Sequence, residues 1–280
     1  MAVTTEKCDV QRIKRGGVVF YRIPSFSADK AVLHAFSTRI GGVSRGRRAT
    51  LDLGSDPKGS VLCSRENRDL FARAVGVTPD RLVRAEQVHG DTVLEVGPSD
   101  GGRCPEPGDS LGKADALVTR EVGIALMVLV ADCLPVLIHD PVNRAVGVAH
   151  AGWRGTVSHV GVKALLEMGS RYGTQASDVR VAFGPCIGPC CYEVGDDVLR
   201  EFADVFPWYQ DVFQAGFGGN WMLDLAEANA RQLREVGVKE KNLKRPGLCT
   251  IGNIGDFYSH RAEATPGEPT GRIAAVIMLR

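Results

Sequence analysis

Three residues of the types that ligate metals, His89, Cys133 and His150, lie in separate segments that each resemble the end of a buried strand. A thiolate with two imidazoles is a donor set that suits zinc. A site with three protein ligands leaves one tetrahedral position open for water or substrate, which is the pattern of catalytic rather than structural zinc. If the three side chains converge, the sequence predicts a hydrolytic or transferase enzyme.

Each of these residues also has an ordinary structural interpretation. His89 beside Gly90 is compatible with a turn histidine, and Cys133 alone is typical of a small buried hydrophobic residue. Polar neighbours in otherwise apolar segments favour a metal site, because buried polar groups need partners. Those neighbours are Gln87, Asp132 and Arg154. The wide spacing matches no compact zinc finger, so the residues alone leave both interpretations open.

The elements that must position these residues follow from hydrophobic patterning. Cys133 falls at a break between two predicted core strands, and His150 ends another strand just before a helix. The predicted strands are residues 18–23, 32–37, 122–130, 136–139, 145–150, 179–183, 249–258 and 273–279. The predicted helices are residues 66–75, 157–168 and 223–236, the first stopped by Gly76.

Composition limits the admissible functions. The 280 residues include 34 basic and 33 acidic side chains, interspersed, for a net charge of +1. This balance gives no electrostatic footprint for nucleic acid or an anionic membrane, so a small-molecule substrate is predicted. The longest apolar run, residues 123–131, is too short to span a bilayer, and residues 1–20 lack a secretory signal. The eight scattered cysteines are interpreted as reduced, which predicts a cytoplasmic protein.

Three other motifs were weighed. A cytidine-type deaminase is excluded, because no histidine is followed two places later by glutamate and three residues separate Cys186 from Cys190. Residues 98–112 predict a surface loop or flap, and a loose phosphate-loop pattern at 108–113 belongs to it. Cys186, Cys190 and Cys191 favour a rigid structural loop over a second metal site. Arg39 fits either a phosphate ligand or a solvated turn arginine.

Taken together, several motifs resemble the polyphenol-oxidoreductase laccase-domain family, whose members are also described as purine nucleoside phosphorylases. The similarity runs from about residue 36 to residue 279. The segments that carry it are residues 36–44, 87–90, 114–119, 131–137, 146–155, 184–193 and 257–261. One departure is Asp52, where the family usually has asparagine and where loop hydrogen bonding near the pocket is expected to change. Another is a longer insertion at 262–270.

The resemblance implies an α+β fold in one domain, residues 1–280, with a variable segment to about residue 30 and a mixed sheet packed between helical layers. It implies a zinc site at His89, Cys133 and His150. It also implies phosphorolysis of adenosine, inosine and methylthioadenosine to free base and (methylthio)ribose 1-phosphate, with adenosine deamination as a side activity. The partners are then a purine nucleoside and phosphate, and the chain is expected to be a monomer or small homo-oligomer.

Within that hypothesis, the three ligands and Asp132 are the candidate catalytic residues. The candidate substrate-binding residues are Arg39, Gln87 and Arg154. Arg39 and Arg154 would hold phosphate or transition-state charge, while Asp132 or Gln87 would orient a ligand or act as a base.

Three alternatives stay open. A four-copper laccase needs paired His-x-His motifs, and the six histidines of this sequence include no such pair. A single copper at His89, Cys133 and His150 remains compatible with the donors and would support a laccase-like polyphenol oxidoreductase. A cysteine hydrolase would use Cys133 as nucleophile with His150 or His89 as base. A metal-binding module without catalysis would hold zinc and convert no nucleoside.

Overall fold

The computed structural model describes residues 10–26, 28, 30–54, 61–103, 111–216, 218–263, 265 and 269–280. Within these residues the strands are β1 (Gln11–Arg15), β2 (Val18–Arg22), β3 (Val32–Ser37), β4 (Leu82–Val83), β5 (Val93–Glu95), β6 (Ala116–Thr119), β7 (Ala125–Val130), β8 (Leu134–Asp140), β9 (Ala145–Ala151), β10 (Arg180–Phe183), β11 (Glu193–Val194), β12 (Phe213–Ala215), β13 (Trp221–Leu223), β14 (Leu243–Lys244) and β15 (Ile273–Leu279). The α-helices are α1 (Val61–Val75), α2 (Trp153–Val157), α3 (Val160–Tyr172), α4 (Asp196–Val205), α5 (Leu225–Glu235) and α6 (His260–Glu263).

The strands form two six-stranded mixed sheets and one small sheet. The first sheet has the order β1-β2-β3-β15-β7-β4, and the second has the order β14-β10-β8-β9-β6-β5. Most neighbours are antiparallel, while β4 with β7, β5 with β6 and β10 with β14 are parallel. The small antiparallel sheet has the order β11-β13-β12.

The two large sheets pack face to face, and helices cover their outer faces. Phe36 and Ile277 of the first sheet share one buried cluster with Leu137 and Val148 of the second. Helix α1 packs on the outer face of the first sheet, and helices α3, α4 and α5 pack on the outer face of the second. Strands β7, β8 and β9 are buried on both faces, which explains their unbroken apolar runs.

The predicted α+β class and helical layers are confirmed, and the predicted mixed sheet is present as two mixed sheets. Most predicted elements occur within a few residues of their expected bounds. The helix predicted at 157–168 is two helices, which meet at Ser158 and His159, where His159 has φ of 61°. Helix α5 begins later than predicted, because the Asp224 side chain caps it by accepting a hydrogen bond from Glu227 N–H.

The strand predicted at 249–258 is wrong. This segment is a series of turns, in which the Asn253 side chain donates to the carbonyl of Cys249 at 2.8 Å. Gly252 and Gly255 also disfavour a strand interior, and short side-chain-to-backbone bonds compete with sheet pairing.

Several predictions fall partly outside the described residues. The flap at 98–112 and the phosphate-loop pattern at 108–113 include residues 104–110, and the insertion at 262–270 includes residues 264 and 266–268. Of the segment expected to vary, residues 1–30, strands β1 and β2 form a hairpin at the edge of the first sheet. Among the described residues, no helix has the length and apolar character needed to cross a membrane.

Candidate metal centre

The three residues singled out by type converge. One ligand atom from each of His89, Cys133 and His150 lies within 4.8 Å of the other two. The two imidazole rings meet edge to face, with centroids 4.8 Å apart. His150 is buried, Cys133 is partly buried and His89 is exposed. The cluster is therefore fixed from the interior and reachable from solvent on the side of His89.

Sheet register brings Cys133 to His150. Cys133 immediately precedes β8, whose Leu134 pairs with Ala151 and whose Pro135 pairs with His150 in the antiparallel neighbour β9. Residues opposite one another in such a ladder lie about 4.5 to 5.5 Å apart, so the thiol and the imidazole meet at the same end of the strand pair. Strand pairing thus explains how ligands far apart in sequence share one site.

Asp115 holds both histidines and was missed by sequence reasoning. Its Oδ1 accepts a hydrogen bond from His89 N–H at 3.0 Å and contacts His150 Nδ1 at 2.8 Å. Its Oδ2 accepts the N–H groups of Val88 and Gly90 at 3.1 and 2.7 Å. A carboxylate on Nδ1 leaves Nε2 of His150 as the ligand atom and fixes the ring orientation. The available signal was an acidic residue directly before a buried strand.

Burial and hydrogen bonding compete at the ligands. Burial of Cys133 opposes ionisation, but hydrogen bonds and charge from His150 and His89 outweigh it and lower the pKa of the thiol to about 6. Burial likewise opposes the charge on His150, yet Asp115 and Cys133 raise the pKa of its imidazole to about 9. Asp115 has a lowered pKa: burial raises it, and bonds from His150, Gly90 and Val88 outweigh that effect. The metal-free site therefore favours a thiolate beside an imidazolium.

A glycine makes room for this cluster. A Cβ placed on Gly152 would lie 3.0 Å from Cys133 Sγ and 3.3 Å from His89 Cδ2. Most real Cβ atoms do not approach neighbours so closely, so a side chain here would displace the two ligands. Gly152 also starts α2, which carries Trp153 and Arg154 along the same rim.

Asp132 is held in the scaffold rather than free to act as a base. Its backbone has φ of 90°, a strained value for a residue with a side chain. Its carboxylate accepts hydrogen bonds from Thr250 Oγ1 at 2.5 Å, Ser259 Oγ at 3.1 Å and Arg261 N–H at 2.7 Å. These three bonds maintain the strained turn that aims Cys133 into the site.

Gln87 has a similar positioning contact. Its side-chain Nε2 donates to the carbonyl of Leu129 at 2.7 Å, and its Oε1 accepts the N–H of Leu129 at 2.8 Å. Both ends of the amide are thus paired with the end of β7, although Gln87 also lines the cavity described below. This contact fixes the segment that carries His89.

The structure does not support Arg39 as a phosphate ligand. Its Nη1 donates to Glu263 Oε1 at 2.9 Å and to the carbonyl of Ile254 at 3.1 Å, and its Nη2 donates to the carbonyl of Arg47 at 3.1 Å. The guanidinium also stacks over the Tyr258 ring at 4.3 Å. Arg39 is absent from the cavity wall and crosslinks loops behind it.

A cavity of about 660 Å³ opens over the three ligands. Its volume lies within the range of about 300 to 1,000 Å³ that is typical of small-molecule sites. Trp153 and Tyr192 contribute aromatic surface to its wall. The cationic residues on the wall are Arg48, Arg84, Arg154, His260, Arg261 and Arg272. The cavity therefore combines soft metal donors, aromatic faces and positive charge.

Two of these arginines differ in their freedom. Arg154 stacks over the Trp153 ring at 4.1 Å, and no carboxylate within the described part of the chain pairs with it. Arg48 instead pairs with Asp52 at 3.2 Å. Asp52, one of the departures from the family pattern, also accepts the N–H groups of Gly54 and Arg272 at 2.9 and 2.8 Å. Arg154 is consequently the better placed to meet an anionic ligand.

The remaining histidines do not extend the site into a multicopper centre. His34 and His139 lie in the interior beside Phe26, and His34 accepts a hydrogen bond from Ile23 N–H. His159 precedes α3 and stacks on Phe206. The donors of the cluster itself, two imidazoles and one thiolate, fit a single zinc or copper ion.

Comparison with characterised proteins agrees with this site. The chain is 38% identical over 268 residues to a protein of Deinococcus radiodurans named purine nucleoside phosphorylase, and the match covers 94% of each chain. A Geobacillus stearothermophilus protein named purine nucleoside phosphorylase YlmD is 34% identical over 246 residues, covering 86% of this chain and 88% of that protein.

Solved structures extend the likeness to the fold. The crystal structure of YlmD from Geobacillus stearothermophilus superposes with a TM-score of 0.87 at 32% identity, covering 96% of this chain and 98% of that chain. The Bacillus licheniformis hypothetical protein YfiH also gives a TM-score of 0.87, at 28% identity, with coverage of 96% and 98%. A family model described as multi-copper polyphenol oxidoreductase laccase matches residues 33–280. The chain therefore belongs to this laccase-domain family.

Proposed function

We propose that this protein is a zinc-dependent purine nucleoside phosphorylase, which cleaves adenosine, inosine and methylthioadenosine with phosphate. The observation that carries the proposal is the convergence of His89, Cys133 and His150 at a cavity of nucleoside-compatible size. Relatives that share most of their length with this chain are named for the same activity. The products are the free base and ribose 1-phosphate or its methylthio derivative.

The donor set fits zinc on chemical grounds. Two imidazoles and one thiolate are ligands that zinc accepts, and Asp115 already holds His150 in the tautomer that leaves Nε2 available. When bound, zinc would supply Lewis acidity at a position open to substrate. Copper accepts the same donors, so metal analysis of the purified protein decides between the two.

The cavity wall suggests how substrates are held. Arg154 would bind phosphate or its developing charge, because its fork of N–H donors suits oxyanions. Trp153 and Tyr192 offer faces on which a purine can stack. In phosphorolysis a phosphate oxygen forms a bond to ribose C1′, the bond from C1′ to the purine nitrogen breaks, and the departing base takes up a proton. Asp132 and Gln87 act as positioning residues, because their polar atoms are already paired.

A nucleoside screen tests this proposal. Adenosine, inosine and methylthioadenosine would each be incubated with the metal-loaded protein, with and without phosphate, and the products separated by chromatography. We expect free base and a sugar 1-phosphate in the presence of phosphate alone. Formation of inosine from adenosine without phosphate would establish the proposed deaminase side activity. A protein that carries its metal and releases no base would refute the phosphorylase.

A cysteine hydrolase is the second candidate, and one specific observation favours it. Cys133, His150 and Asp115 form a continuous thiol, imidazole and carboxylate series, in which the pKa of the thiol is lowered to about 6. A nucleophile, a base and an orienting acid in contact are the requirements of thiol catalysis. Turnover that persists or rises after chelator treatment and stops on alkylation of Cys133 would establish this function, whereas the zinc enzyme loses activity with its metal.

A further inference from the structure

A second cluster of thiols lies outside the cavity wall. Cys190, Cys191 and Cys249 each place a sulfur within 4.8 Å of the other two. Cys190 Sγ lies 3.2 Å from Cys191 Sγ and 3.7 Å from Cys249 Sγ. Cys190 is exposed and the other two are partly buried, so the sulfurs are reachable from solvent.

Local backbone structure explains why adjacent cysteines face the same way. Adjacent side chains would point apart in an extended chain, but the N–H groups of Cys191 and Tyr192 both bond to the carbonyl of Gly188 at 3.0 Å. The resulting tight turn gathers both sulfurs on one side. The preference for a purely structural loop rested on extended geometry, and this turn removes that objection.

The third sulfur comes from a different segment and is held by backbone donors. Cys249 Sγ accepts the N–H of Gly188 at 3.3 Å and the N–H of Gly252 at 3.4 Å. The two segments are also joined by backbone bonds, from Cys186 N–H to the Leu248 carbonyl at 3.2 Å and from Thr250 N–H to the Cys186 carbonyl at 3.0 Å. N–H donors to sulfur favour its anionic, metal-binding form.

The spacing of the sulfurs matches thiolate coordination. Zinc binds thiolates at about 2.3 Å with tetrahedral angles, which places bound sulfurs about 3.8 Å apart. The separation between Cys190 and Cys249 already meets this value, and that between Cys190 and Cys191 is about half an ångström shorter. Rotation of one exposed side chain is enough to accommodate the ion.

We propose that Cys190, Cys191 and Cys249 form a second metal site, specific for a thiophilic cation such as zinc and distinct from the His-Cys-His centre. Three thiolates would supply the protein ligands, and the solvent side of the cluster would supply the fourth. The site would clamp the loop that carries Ile187 and Tyr192, two residues of the cavity wall, to the turn at Cys249. Its role is to stabilise one wall of the cavity rather than to perform chemistry.

Zinc stoichiometry and sulfur coordination test this proposal without reference to turnover. Full-length protein would be reduced, stripped with a chelator, titrated with zinc and analysed by mass spectrometry and X-ray absorption. We expect about two zinc ions per chain with about two sulfur ligands per zinc on average, because the two sites contribute one and three thiolates. Cys249→Ser should leave about one zinc with about one sulfur ligand.

Two matched variants separate this site from the first. Cys133→Ala should retain about one zinc with about three sulfur ligands, and Cys63→Ser, remote in α1, should bind zinc like the parent. Cys190→Ser provides a second test if Cys249→Ser does not fold, as judged by circular dichroism. The proposal is overturned if the parent binds one zinc with one sulfur ligand, or if peptide mapping of the reduced protein shows a disulfide that persists among these cysteines.

Discussion

The His-Cys-His centre and the three-cysteine cluster differ in what holds them. The first sits where paired strands end, and Asp115 bonds to the backbone or ring of both histidines. The second sits between two loops and is held by N–H donors from Gly188 and Gly252. Buried strands in two packed sheets move less than surface turns. The difference indicates that catalytic precision belongs to the first cluster and loop stabilisation to the second.

The functional surroundings differ in the same sense. The His-Cys-His centre faces a cavity with aromatic and cationic walls, whereas the cysteine cluster has no part in that wall. A metal near a shaped cavity can act on a bound substrate, and a metal on a loop mainly restrains the chain. The following experiments test this division, beginning with the largest expected effect.

Cys133→Ala should abolish binding of the central metal and reduce phosphorolysis by more than about 100-fold, since loss of an orienting partner alone costs about 10- to 100-fold. Zinc content and release of adenine from adenosine measure the two effects. Cys63→Ala in α1 is the control and should retain both properties. A Cys133→Ala protein with full activity would show that the His-Cys-His cluster is not the active centre.

Alkylation of the metal-free protein should show a pH profile specific to Cys133. Because its pKa is lowered to about 6 from 9.0, the thiolate is present above pH 6 and is lost as the pH falls through that value. At pH 7 the thiolate fraction is then about 100-fold larger than for an ordinary cysteine. Cys191 has its pKa raised to about 12, first by its hydrogen bond to Cys190, and should react slowly there.

Peptide mapping after timed treatment with iodoacetamide measures both rates. Zinc should protect Cys133, and an inflection for Cys133 near pH 9 would contradict the predicted influence of the two histidines.

Asp115→Asn should weaken zinc binding at the central site by about 10- to 100-fold, because the amide no longer offers a charged acceptor to His150 and the backbone N–H groups. Competition with a chromogenic chelator gives the affinity. Asp91→Asn is a suitable control, since Asp91 pairs with Lys163 at the surface. Equal affinities in the two variants would remove Asp115 from the list of orienting residues.

Gly152→Ala and Gly188→Ala form a pair that compares the clusters directly. A Cβ at Gly152 would lie 3.0 Å from Cys133 Sγ, and a Cβ at Gly188 would lie 3.2 Å from Cys249 Cβ. We expect the first to reduce phosphorolysis by about 10-fold, which corresponds to about 1.4 kcal/mol of overpacking, and the second to leave turnover within about twofold. Gly255→Ala, with open space around it, is the common control.

Steady-state kinetics and zinc content of the three proteins provide the measurement. A larger loss of turnover from Gly188→Ala than from Gly152→Ala would reverse the assigned roles.

Sequence patterning located most of the elements near the site because their burial is uniform. Strands β7, β8 and β9 are apolar throughout, so the break at Cys133 and the strand end at His150 were predictable. The turns at 249–258 were mistaken for a strand, because side-chain bonds to the backbone rather than apolar periodicity determine their path.

The roles of individual polar residues were harder to predict. Arg39 has the surroundings of an anion ligand in sequence, yet Glu263 and Tyr258 occupy its guanidinium in space. Asp115 and Cys249 carry no local signal that connects them with His150 or Cys190. Such assignments depend on which side chains meet after distant segments pack, and hydrogen-bond partners are not encoded by neighbouring residues.

The sequence by itself determined the chemistry available to this protein: two histidines and a cysteine at predicted strand ends, a balanced charge, and motifs of the laccase-domain family. Only the tertiary structure decided that these ligands converge, that Asp115 orients them, that Asp132 and Gln87 serve as supports, and that Cys249 joins Cys190 and Cys191. The reason is physical. Residue type fixes which bonds a side chain can form, whereas sheet register and loop packing fix which partners come within the few ångströms that those bonds require.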